Sequence, residues 1–207
     1  MLIAGAGGFA RESLELLRQT NYPNEVFFYD DINSDLLVYD RYKILKTGLE
    51  LKNLFKHNPE FILGVGEVGS RLKLYQLIAG LGGKPVTLIS PFARLGQNNI
   101  QIDEGSVVAT GSVLTCNITL GRGCLINLNC TIGHDCSIGE FSVLSPGVHV
   151  SGCCTIGRHC FIGTGAVILP GIIVGDNAVI GAGSVVNHNV PEYSTVVGVP
   201  AKPIKNR

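Results

Sequence analysis

The chain has 207 residues, which is enough for one large or two modest domains, and its 16 basic and 16 acidic residues give no formal net charge. With only 15% charged residues, it lacks the basic surface that nucleic acid or an anionic membrane would need, so we expect neither partner. No segment reaches the ~18 apolar residues of a membrane span, and no secretory signal follows Met1. We therefore expect no membrane insertion and a cytoplasmic location.

The first predicted elements are a short strand at Leu2–Ala4, a glycine turn and a helix. Residues 5–10 read G-A-G-G-F-A, which matches the dinucleotide-binding pattern G-x-G-x-x-A. Glycines let the backbone approach a phosphate closely, and the following helix presents free N–H groups at its N-terminus. We therefore predict that Gly5, Gly7 and Gly8 bind a nucleotide.

A second predicted strand, residues 26–29, ends at Asp30 and Asp31, near where a ribose-binding acid belongs. The strand predicted at 61–65 leads into a second glycine turn, G-V-G, which ends at Gly66. Further strands are predicted at 43–45 and 85–89, with helices at 49–56 and 70–81. A full dinucleotide fold needs two βαβαβ halves, and only one half fits here. The pattern favours a mononucleotide or a sugar nucleotide over NAD, the alternative being that these glycines only permit tight turns.

Farther along the chain, an aliphatic residue recurs at every sixth position without a gap. The fifteen positions are Ile102, Val108, Leu114, Leu120, Ile126, Ile132, Ile138, Leu144, Val150, Ile156, Ile162, Ile168, Val174, Ile180 and Val186. Neither the helical period nor the alternation of an amphipathic strand explains a period of six. The pattern predicts a parallel β-helix of hexapeptide repeats, with three repeats in each triangular coil. Five coils spaced ~4.8 Å apart would form a prism about 24 Å tall.

These patterns predict two domains joined by a short linker. Residues 1–91 form an α/β, Rossmann-like half domain that binds the nucleotide. Residues 92–207 form an all-β domain, the parallel β-helix, and the segment after the last repeat forms its C-terminal cap.

The cysteines follow the repeat. Of seven cysteines, five share one small-residue position of the hexapeptide: Cys124, Cys130, Cys136, Cys154 and Cys160. Cys116 and Cys153 lie off this pattern, and no C-x-x-C pair supports a zinc site. We expect small structural core residues in a reducing compartment and no cysteine nucleophile.

Residues 126–135, I-N-L-N-C-T-I-G-H-D, contain an imidazole and a carboxylate that the repeat does not require. His134 lies two residues past an inward aliphatic position and therefore at a corner of the prism. Gly152 follows it by 18 residues, which is one coil, so it should lie directly above the imidazole. This register places a candidate base beside a backbone N–H that no side chain blocks.

Over both domains, the chain resembles the sugar-nucleotide N-acetyltransferases of the bacillosamine and perosamine pathways and the related sialic-acid O-acetyltransferases. The resemblance implies a left-handed β-helix, a homotrimer and direct transfer from acetyl-CoA, with no metal required. It also implies that His134 is the general base, that Asp135 orients and polarises it, and that Asn127 belongs to the same site. Gly152 is implied to donate its N–H to the thioester carbonyl.

The resemblance also covers the two ends of the chain. Residues 198–202, G-V-P-A-K, resemble the segment that lies along coenzyme A, which implies cofactor contacts from Pro200 and Lys202 as well as from the glycine above the base. Asp30 and Asp31 map to the nucleotide of the acceptor. The implied acceptor is a nucleotide-linked 4-amino-4,6-dideoxysugar used in polysaccharide biosynthesis. Many relatives have histidine where this chain has Phe9, which leaves the sugar and the choice between N- and O-acetylation open.

Three alternatives are kept beside this interpretation. O-acetylation of a sugar or sialic-acid hydroxyl would use the same base and coenzyme groove. A γ-type zinc carbonic anhydrase, built on the same β-helix, would need three histidines that converge between subunits. The candidates, His134, His149 and His159, are not stacked on one another in the 18-residue register. A non-catalytic nucleotide-sensing module is the third alternative, and the pairing of His134 with Asp135 speaks against it.

Overall fold

The computed structural model describes residues 1–206, with side chains described through residue 204. An α/β domain comes first and contains β1 (Leu2–Ala4), α1 (Gly8–Gln19), β2 (Phe27–Tyr29), β3 (Leu37–Val38), β4 (Tyr42–Leu45), α2 (Gly48–Phe55), β5 (Glu60–Leu63), α3 (Val68–Gly80) and β6 (Lys84–Pro85). Its sheet has the order β3-β4-β2-β1-β5-β6 and is parallel except at β3, a short edge strand that the sequence pattern did not reveal.

The strand order of this sheet defines where a ligand can enter. After β1 the chain moves to β2 and β4 on one side, and then returns to β5 on the other side. Ligands of open α/β sheets bind at the carboxyl ends of the strands where the order reverses. The crevice between the ends of β1 and β5 is that place, and both predicted glycine turns border it.

A three-sided parallel β-helix follows. Face 1 contains β7 (Leu88–Ile89), β10 (Val107–Val108), β13 (Leu125–Ile126), β16 (Val143–Leu144), β19 (Phe161–Ile162), β22 (Val179–Ile180), β24 (Ser194–Val197) and β25 (Lys202–Asn206). Face 2 contains β8 (Arg94–Leu95), β11 (Val113–Leu114), β14 (Thr131–Ile132), β17 (His149–Val150), β20 (Val167–Ile168) and β23 (Val185–Val186). Face 3 contains β9 (Ile100–Ile102), β12 (Ile118–Leu120), β15 (Cys136–Ile138), β18 (Thr155–Ile156) and β21 (Ile173–Val174).

The predicted interior of the prism is confirmed. Of the fifteen aliphatic positions, all are buried except Ile102, which is partly buried at the open end of the core. Paired strands are offset by 18 residues, as in Ile126 above Val108, so each coil covers the one before it. The five cysteines on the repeat are buried in the same core.

The prism begins earlier than predicted. The strand predicted at 85–89 is divided, because Lys84–Pro85 pairs with β5 whereas Leu88–Ile89 pairs with β10. The prism therefore has two strands, β7 and β8, before the first of the fifteen positions. Our division of the chain after residue 91 remains a proposal, and the prism core extends across it. At the other end, β24 and β25 form an antiparallel hairpin beyond the last coil.

The α/β domain lies on face 1. The outward side chains Val107, Leu125 and Val143 are buried in one cluster with α1. Arg71 of α3 is completely buried and donates from Nε and Nη2 to the carbonyl of Gly123, at 3.1 and 3.0 Å. Burial lowers the pKa of Arg71 to about 10, so it remains a cation at neutral pH. These contacts fix the domain to one face, and none of the described residues 1–206 forms a layer over faces 2 and 3.

Within residues 1–206, none of the helices is long and apolar enough to cross a membrane.

Candidate active site

His134 and Asp135 occupy the corner between face 2 and face 3, where the chain turns from β14 to β15. The turn requires a left-handed backbone, and Asp135 adopts it with φ of 58°. Asp and Asn adopt this conformation more easily than other non-glycine residues. The backbone turn alone therefore favours an aspartate at this position, in addition to any chemical role of its carboxylate. Both side chains are largely open to solvent, with exposed fractions of 60% and 50%.

The imidazole and the carboxylate form a close pair. His134 Nδ1 and Asp135 Oδ2 are 2.7 Å apart, and Asn117 donates from Nδ2 to the other oxygen, Oδ1, at 2.8 Å. The bond to His134 and then the bond to Asn117 hold the pKa of Asp135 below its ordinary value. An ionised carboxylate only accepts hydrogen bonds, so Nδ1 must donate. In the neutral imidazole, Nε2 is then left with a free lone pair, as a general base requires.

Gly152 lies against the other side of the imidazole, as the 18-residue register predicts. A Cβ placed on Gly152 would lie 2.5 Å from His134 Nε2, so only glycine leaves the ring in place. Among the described residues, no acceptor is found for the Gly152 N–H. A lone pair and an unengaged N–H thus lie side by side, an arrangement suited to deprotonating a nucleophile and binding an oxyanion.

One cysteine also borders this corner. Cys153 is exposed, and its Sγ lies 4.0 Å from His134 Nδ1, although the sequence pattern paired no cysteine with a base. Ligand atoms of His134, Asp135 and Cys153 lie within 4.8 Å of one another, so these three groups could hold a metal ion, although all are exposed. Among the thiols on the repeat, burial raises the pKa of Cys124 to about 12 and that of Cys130 to about 11, so these two stay protonated.

The predicted nucleotide residues meet at the crevice of the α/β sheet. The two glycine turns touch, since a Cβ on Gly5 would lie 2.8 Å from Val65 Cγ1. Gly5, Asp30 and Asp31 line a cavity of about 210 Å³ together with Ser70 and Lys73. Neither Ser70 nor Lys73 was predicted from the sequence, although both lie on the helix that follows the second glycine turn.

The remaining nucleotide residues differ in how open they are. Gly7 caps the N-terminus of α1 and Gly8 is its first residue; both are exposed, and a Cβ on either would meet nothing within 4 Å. Gly66 is partly buried, although a Cβ there would also meet nothing within 4 Å. Asp30 is partly committed to its own turn, because Oδ1 accepts the N–H groups of residues 32 and 33. Asp31 is exposed, and its carboxylate accepts a hydrogen bond from the Tyr29 side chain.

Asn127 does not lie beside His134 in this chain. It occupies the corner between faces 1 and 2, whereas the base occupies the corner between faces 2 and 3, on the order of 15 Å away at the rise of a strand. Asn127 lines a second cavity of about 210 Å³, between α1 and the prism, with Phe9, Leu16 and Leu128. Phe9 therefore borders the same space as Asn127.

Pro200 and Lys202 lie in the C-terminal hairpin, and both are exposed. Along face 1, four strand steps separate β13, at the level of the base, from β24, the hairpin's first strand. At ~4.8 Å per step this is about 19 Å along the prism. An extended pantetheine arm can bridge such a span, so the hairpin and the base can contact opposite ends of one coenzyme.

The α/β domain and the base are on opposite sides of the prism. The domain covers face 1, and His134 lies at the corner opposite that face. Neither cavity that contains predicted acceptor residues includes the base. One chain therefore holds all the predicted groups but does not bring the acceptor residues and the base together.

Comparison with known proteins identifies relatives for both halves of the chain. The profile of the PglD N-terminal domain matches residues 1–78, and that of the bacterial transferase hexapeptide (six repeats) matches residues 153–188. The GDP-perosamine N-acetyltransferase of Escherichia coli O157:H7 is 29% identical over 203 residues, covering 95% of this chain and 81% of that protein.

Solved structures agree over nearly the whole length. The acetyltransferase domain of PglB from Neisseria gonorrhoeae, in complex with acetyl coenzyme A, superimposes with a TM-score of 0.90 at 33% identity and 98% coverage of both chains. PerB from Caulobacter crescentus, in complex with CoA and GDP-perosamine, gives a TM-score of 0.89 at 27% identity, covering 99% of this chain and 96% of that one. The predicted fold class, an α/β half domain followed by a hexapeptide β-helix, is confirmed by these neighbours.

Proposed function

Because this chain belongs to the sugar N-acetyltransferase family of hexapeptide-repeat acyltransferases, we propose that it transfers the acetyl group of acetyl-CoA to the amine of a nucleotide-linked 4-amino-4,6-dideoxysugar. A single observation carries the assignment of the active site. His134 is held by Asp135 through Nδ1, and its Nε2 faces the open Gly152 on the next coil. The GDP-perosamine bound by PerB supports a nucleotide-linked amino sugar as acceptor.

The chemistry follows from these three residues. As the sugar amine attacks the thioester carbonyl carbon, His134 Nε2 takes a proton from the nitrogen, and the imidazolium that forms is stabilised by Asp135. The carbonyl oxygen becomes an oxyanion and accepts a hydrogen bond from the Gly152 N–H. Collapse of this intermediate breaks the C–S bond, and the coenzyme thiolate leaves and takes up the proton held by the imidazole. General base catalysis contributes about 10²–10⁴-fold and an oxyanion donor about 10²–10³-fold.

The acceptor's nucleotide is proposed to occupy the crevice of the α/β domain. Its phosphates would approach Gly7 and Gly8 at the N-terminus of α1, where the free N–H groups favour an anion. Asp31 is suited to accept hydrogen bonds from ribose hydroxyls, and Lys73 lines the same cavity with a cationic head group. The coenzyme would extend from the base towards Pro200 and Lys202.

We propose a homotrimer, because the base and the acceptor residues meet only if a second copy supplies one of them. Face 1 is covered, and face 3 presents mostly hydroxyl side chains between its inward residues, such as Thr119 and Ser137. Face 2 presents Val113, Thr131, His149, Val167 and Val185. Packing face 2 around a three-fold axis buries this surface and closes the ring. It also brings the Asn127 corner of one subunit to the His134 corner of the next.

We also propose a cytoplasmic location and a role in polysaccharide biosynthesis. Acetyl-CoA and nucleotide sugars are cytoplasmic metabolites, and an acetylated nucleotide sugar is an activated donor for a glycosyltransferase. The proposal is supported by the family, whose members include a GDP-perosamine N-acetyltransferase.

The decisive experiment is an acetyl transfer assay with acetyl-CoA and a panel of UDP-, dTDP- and GDP-linked 4-amino-4,6-dideoxysugars. Mass spectrometry of the acceptor should show one added acetyl group with at least one member of the panel. Hydroxylamine, which cleaves acetyl esters and leaves amides intact, separates N-acetylation from the O-acetylation that the Phe9 substitution left open. A hydroxylamine-labile product, or no product with any amine, would contradict the proposal.

A further inference from the structure

A column of five residues with left-handed backbones runs up the corner of the prism that contains the base. The members are one coil apart: Asn99, Asn117, Asp135, Cys153 and Gly171, with φ of 52°, 52°, 58°, 60° and 73°. Asparagine and aspartate enter this region at low cost, so the corner geometry explains why such residues occupy it. It does not explain how their side chains are connected.

Three of these side chains form a directed chain of hydrogen bonds that ends at the imidazole. Asn99 Nδ2 donates to Asn117 Oδ1 at 2.9 Å, and Asn117 Nδ2 donates to Asp135 Oδ1 at 2.8 Å. Asp135 Oδ2 then accepts from His134 Nδ1 at 2.7 Å. Each carboxylate oxygen therefore has its own donor, on opposite sides of the group.

The direction of the chain is fixed by the carboxylate. If the Asn117 amide were flipped, its oxygen would face Asp135, and two acceptors would oppose each other. Asn99 matches this orientation from the other side, because its Nδ2 donates to the Asn117 oxygen. The lowered pKa of Asp135, caused first by His134 and next by Asn117, is consistent with this arrangement.

We propose that Asn117 is a positioning residue for acetyl transfer. It holds Asp135 in place, so that the neutral His134 ring carries its proton on Nδ1 and keeps Nε2 free. Asn99 acts one step further away by orienting the Asn117 amide. This inference rests on the proposed role of His134 as the base.

The hydrogen bond from Asn117 to Asp135 is important because the carboxylate is exposed to solvent. The Asp135 side chain is half exposed, and exposed ion pairs are held weakly because water competes for both partners. Within the described residues, the Asp135 side chain has only two hydrogen-bond partners, His134 and Asn117. Without Asn117, the carboxylate is free to rotate towards water, and Nδ1 loses the partner that selects its tautomer.

The first test is the variant Asn117→Gly. Glycine adopts a φ of 52° without strain, so this change removes the amide and keeps the turn. Its matched control is Asn177→Gly, at a φ of 59° on another corner, remote from the base. Asn117→Gly should lower kcat about 10-fold with an unchanged KM for acetyl-CoA, Asn99→Gly should lower it less, and the control should stay within about twofold.

A double-mutant cycle separates positioning from a general structural effect. In an Asp135→Asn background, Asn117→Gly should cost nothing further, because Asn117 acts only through the carboxylate. If the double variant loses kcat by the product of the two single-variant losses, the proposal is wrong. It is also wrong if Asn117→Gly retains a kcat within about twofold of the parent.

¹⁵N NMR of the His134 ring, without substrate, gives a readout that does not depend on the reaction. The parent should show the neutral ring protonated on Nδ1, and Asn117→Gly should show a mixture of tautomers. An unchanged tautomer would overturn the positioning role even in an active N-acetyltransferase. If the tautomer changes while no acceptor is acetylated, the positioning role stands and the proposed function is wrong.

Discussion

Gly152 lies against the imidazole of His134 from the next coil of the prism, and the space between them is too small for a methyl group. A Cβ on Gly152 would lie 2.5 Å from Nε2 and 2.6 Å from Cε1. The two residues are 18 positions apart in the sequence, so the repeat itself creates the contact. The contact gives the proposed base and the proposed oxyanion donor a fixed relative position.

We first predict that Gly152→Ala nearly abolishes turnover in a protein that still folds. The backbone at Gly152 has no positive φ, so the added methyl group strains the imidazole rather than the chain. A displacement of the base by about 1 Å should lower kcat on the order of 10². Gly80→Ala, where the new methyl meets nothing within 4 Å, is the control and should retain full activity. Wild-type kcat in Gly152→Ala would show that the base is elsewhere.

The second prediction concerns the base and its pH dependence. His134→Ala should lower kcat by about 10²–10⁴-fold and leave KM for acetyl-CoA nearly unchanged, because the coenzyme contacts come from other groups. Asp135→Asn should cost less, since the imidazole remains.

The lowered pKa of Asp135 bears on which group produces the acidic limb of the pH profile of kcat/KM. Hydrogen bonds to His134 and Asn117 hold the pKa of Asp135 below its ordinary value. These two bonds therefore stabilise the site fully at any pH above the ordinary pKa of an aspartate, and the stabilisation is lost only as the pH falls through the lowered pKa. Asp135 therefore does not produce an acidic limb near neutrality. Such a limb should disappear in His134→Ala and persist in Asp135→Asn. Persistence of the same limb in His134→Ala would assign it to the amine.

The third prediction separates the two substrates. Asp31→Ala should raise KM for the sugar nucleotide about 10-fold or more, the cost of losing a hydrogen bond to a charged group, and leave KM for acetyl-CoA unchanged. Asp103→Ala, which removes an exposed carboxylate on the prism, should change neither. NAD binding by the full chain, without affinity for sugar nucleotides, would instead support the dinucleotide interpretation of residues 5–10.

The repeat made much of this molecule predictable. An aliphatic residue that points inward at every sixth position can be recognised from the sequence alone. Because each coil has 18 residues, residues that are 18 positions apart in the sequence lie next to each other in the prism. The contact of His134 with Gly152 follows from that rule, and so does the stacking of Asn117 below Asp135. The second contact was not predicted, although the same 18-residue register, counted back from Asp135, leads to Asn117.

Other features depend on contacts that do not follow the six-residue repeat. Asn127 precedes His134 by seven residues, yet those residues cross a whole face of the prism, so proximity in sequence places the two at different corners. Arg71 lies in an ordinary helical stretch, and its burial against Gly123 depends on how the α/β domain docks on face 1. The division of the strand predicted at 85–89 depends on the same docking.

The fourth prediction concerns the thiols. A maleimide should modify Cys153 in the native protein, because it is exposed, and should spare Cys124, Cys130 and Cys160, whose burial raises their pKa to about 12, 11 and 11. Since Cys153 Sγ is 4.0 Å from His134 Nδ1, the adduct should block turnover, and bound CoA should slow its formation. Cys153→Ser should remain active and resist inactivation. A folded but inactive Cys153→Ser enzyme would require an acyl-enzyme mechanism instead of direct transfer.

The last prediction tests whether each active site is built from two copies of the chain. One variant, His134→Ala, keeps the acceptor crevice and lacks the base. The other, Asp31→Ala with Lys73→Glu, keeps the base and has a damaged crevice. Each should be nearly inactive alone when assayed at low acceptor concentration, where kcat/KM governs the rate.

Denaturing the two variants together and refolding them as an equal mixture should restore activity. If the crevice of one subunit faces the base of the next around a three-fold axis, about one site in four combines an intact crevice with an intact base. A crevice and a base that worked within one chain would never be combined in such a mixture, and activity would stay at the level of the separate variants. Refolding each variant alone controls for losses during renaturation, and sedimentation must show trimers in all three samples. Trimers of mixed composition that remain inactive would mean that the α/β domain reaches His134 of its own chain, which the docking on face 1 argues against.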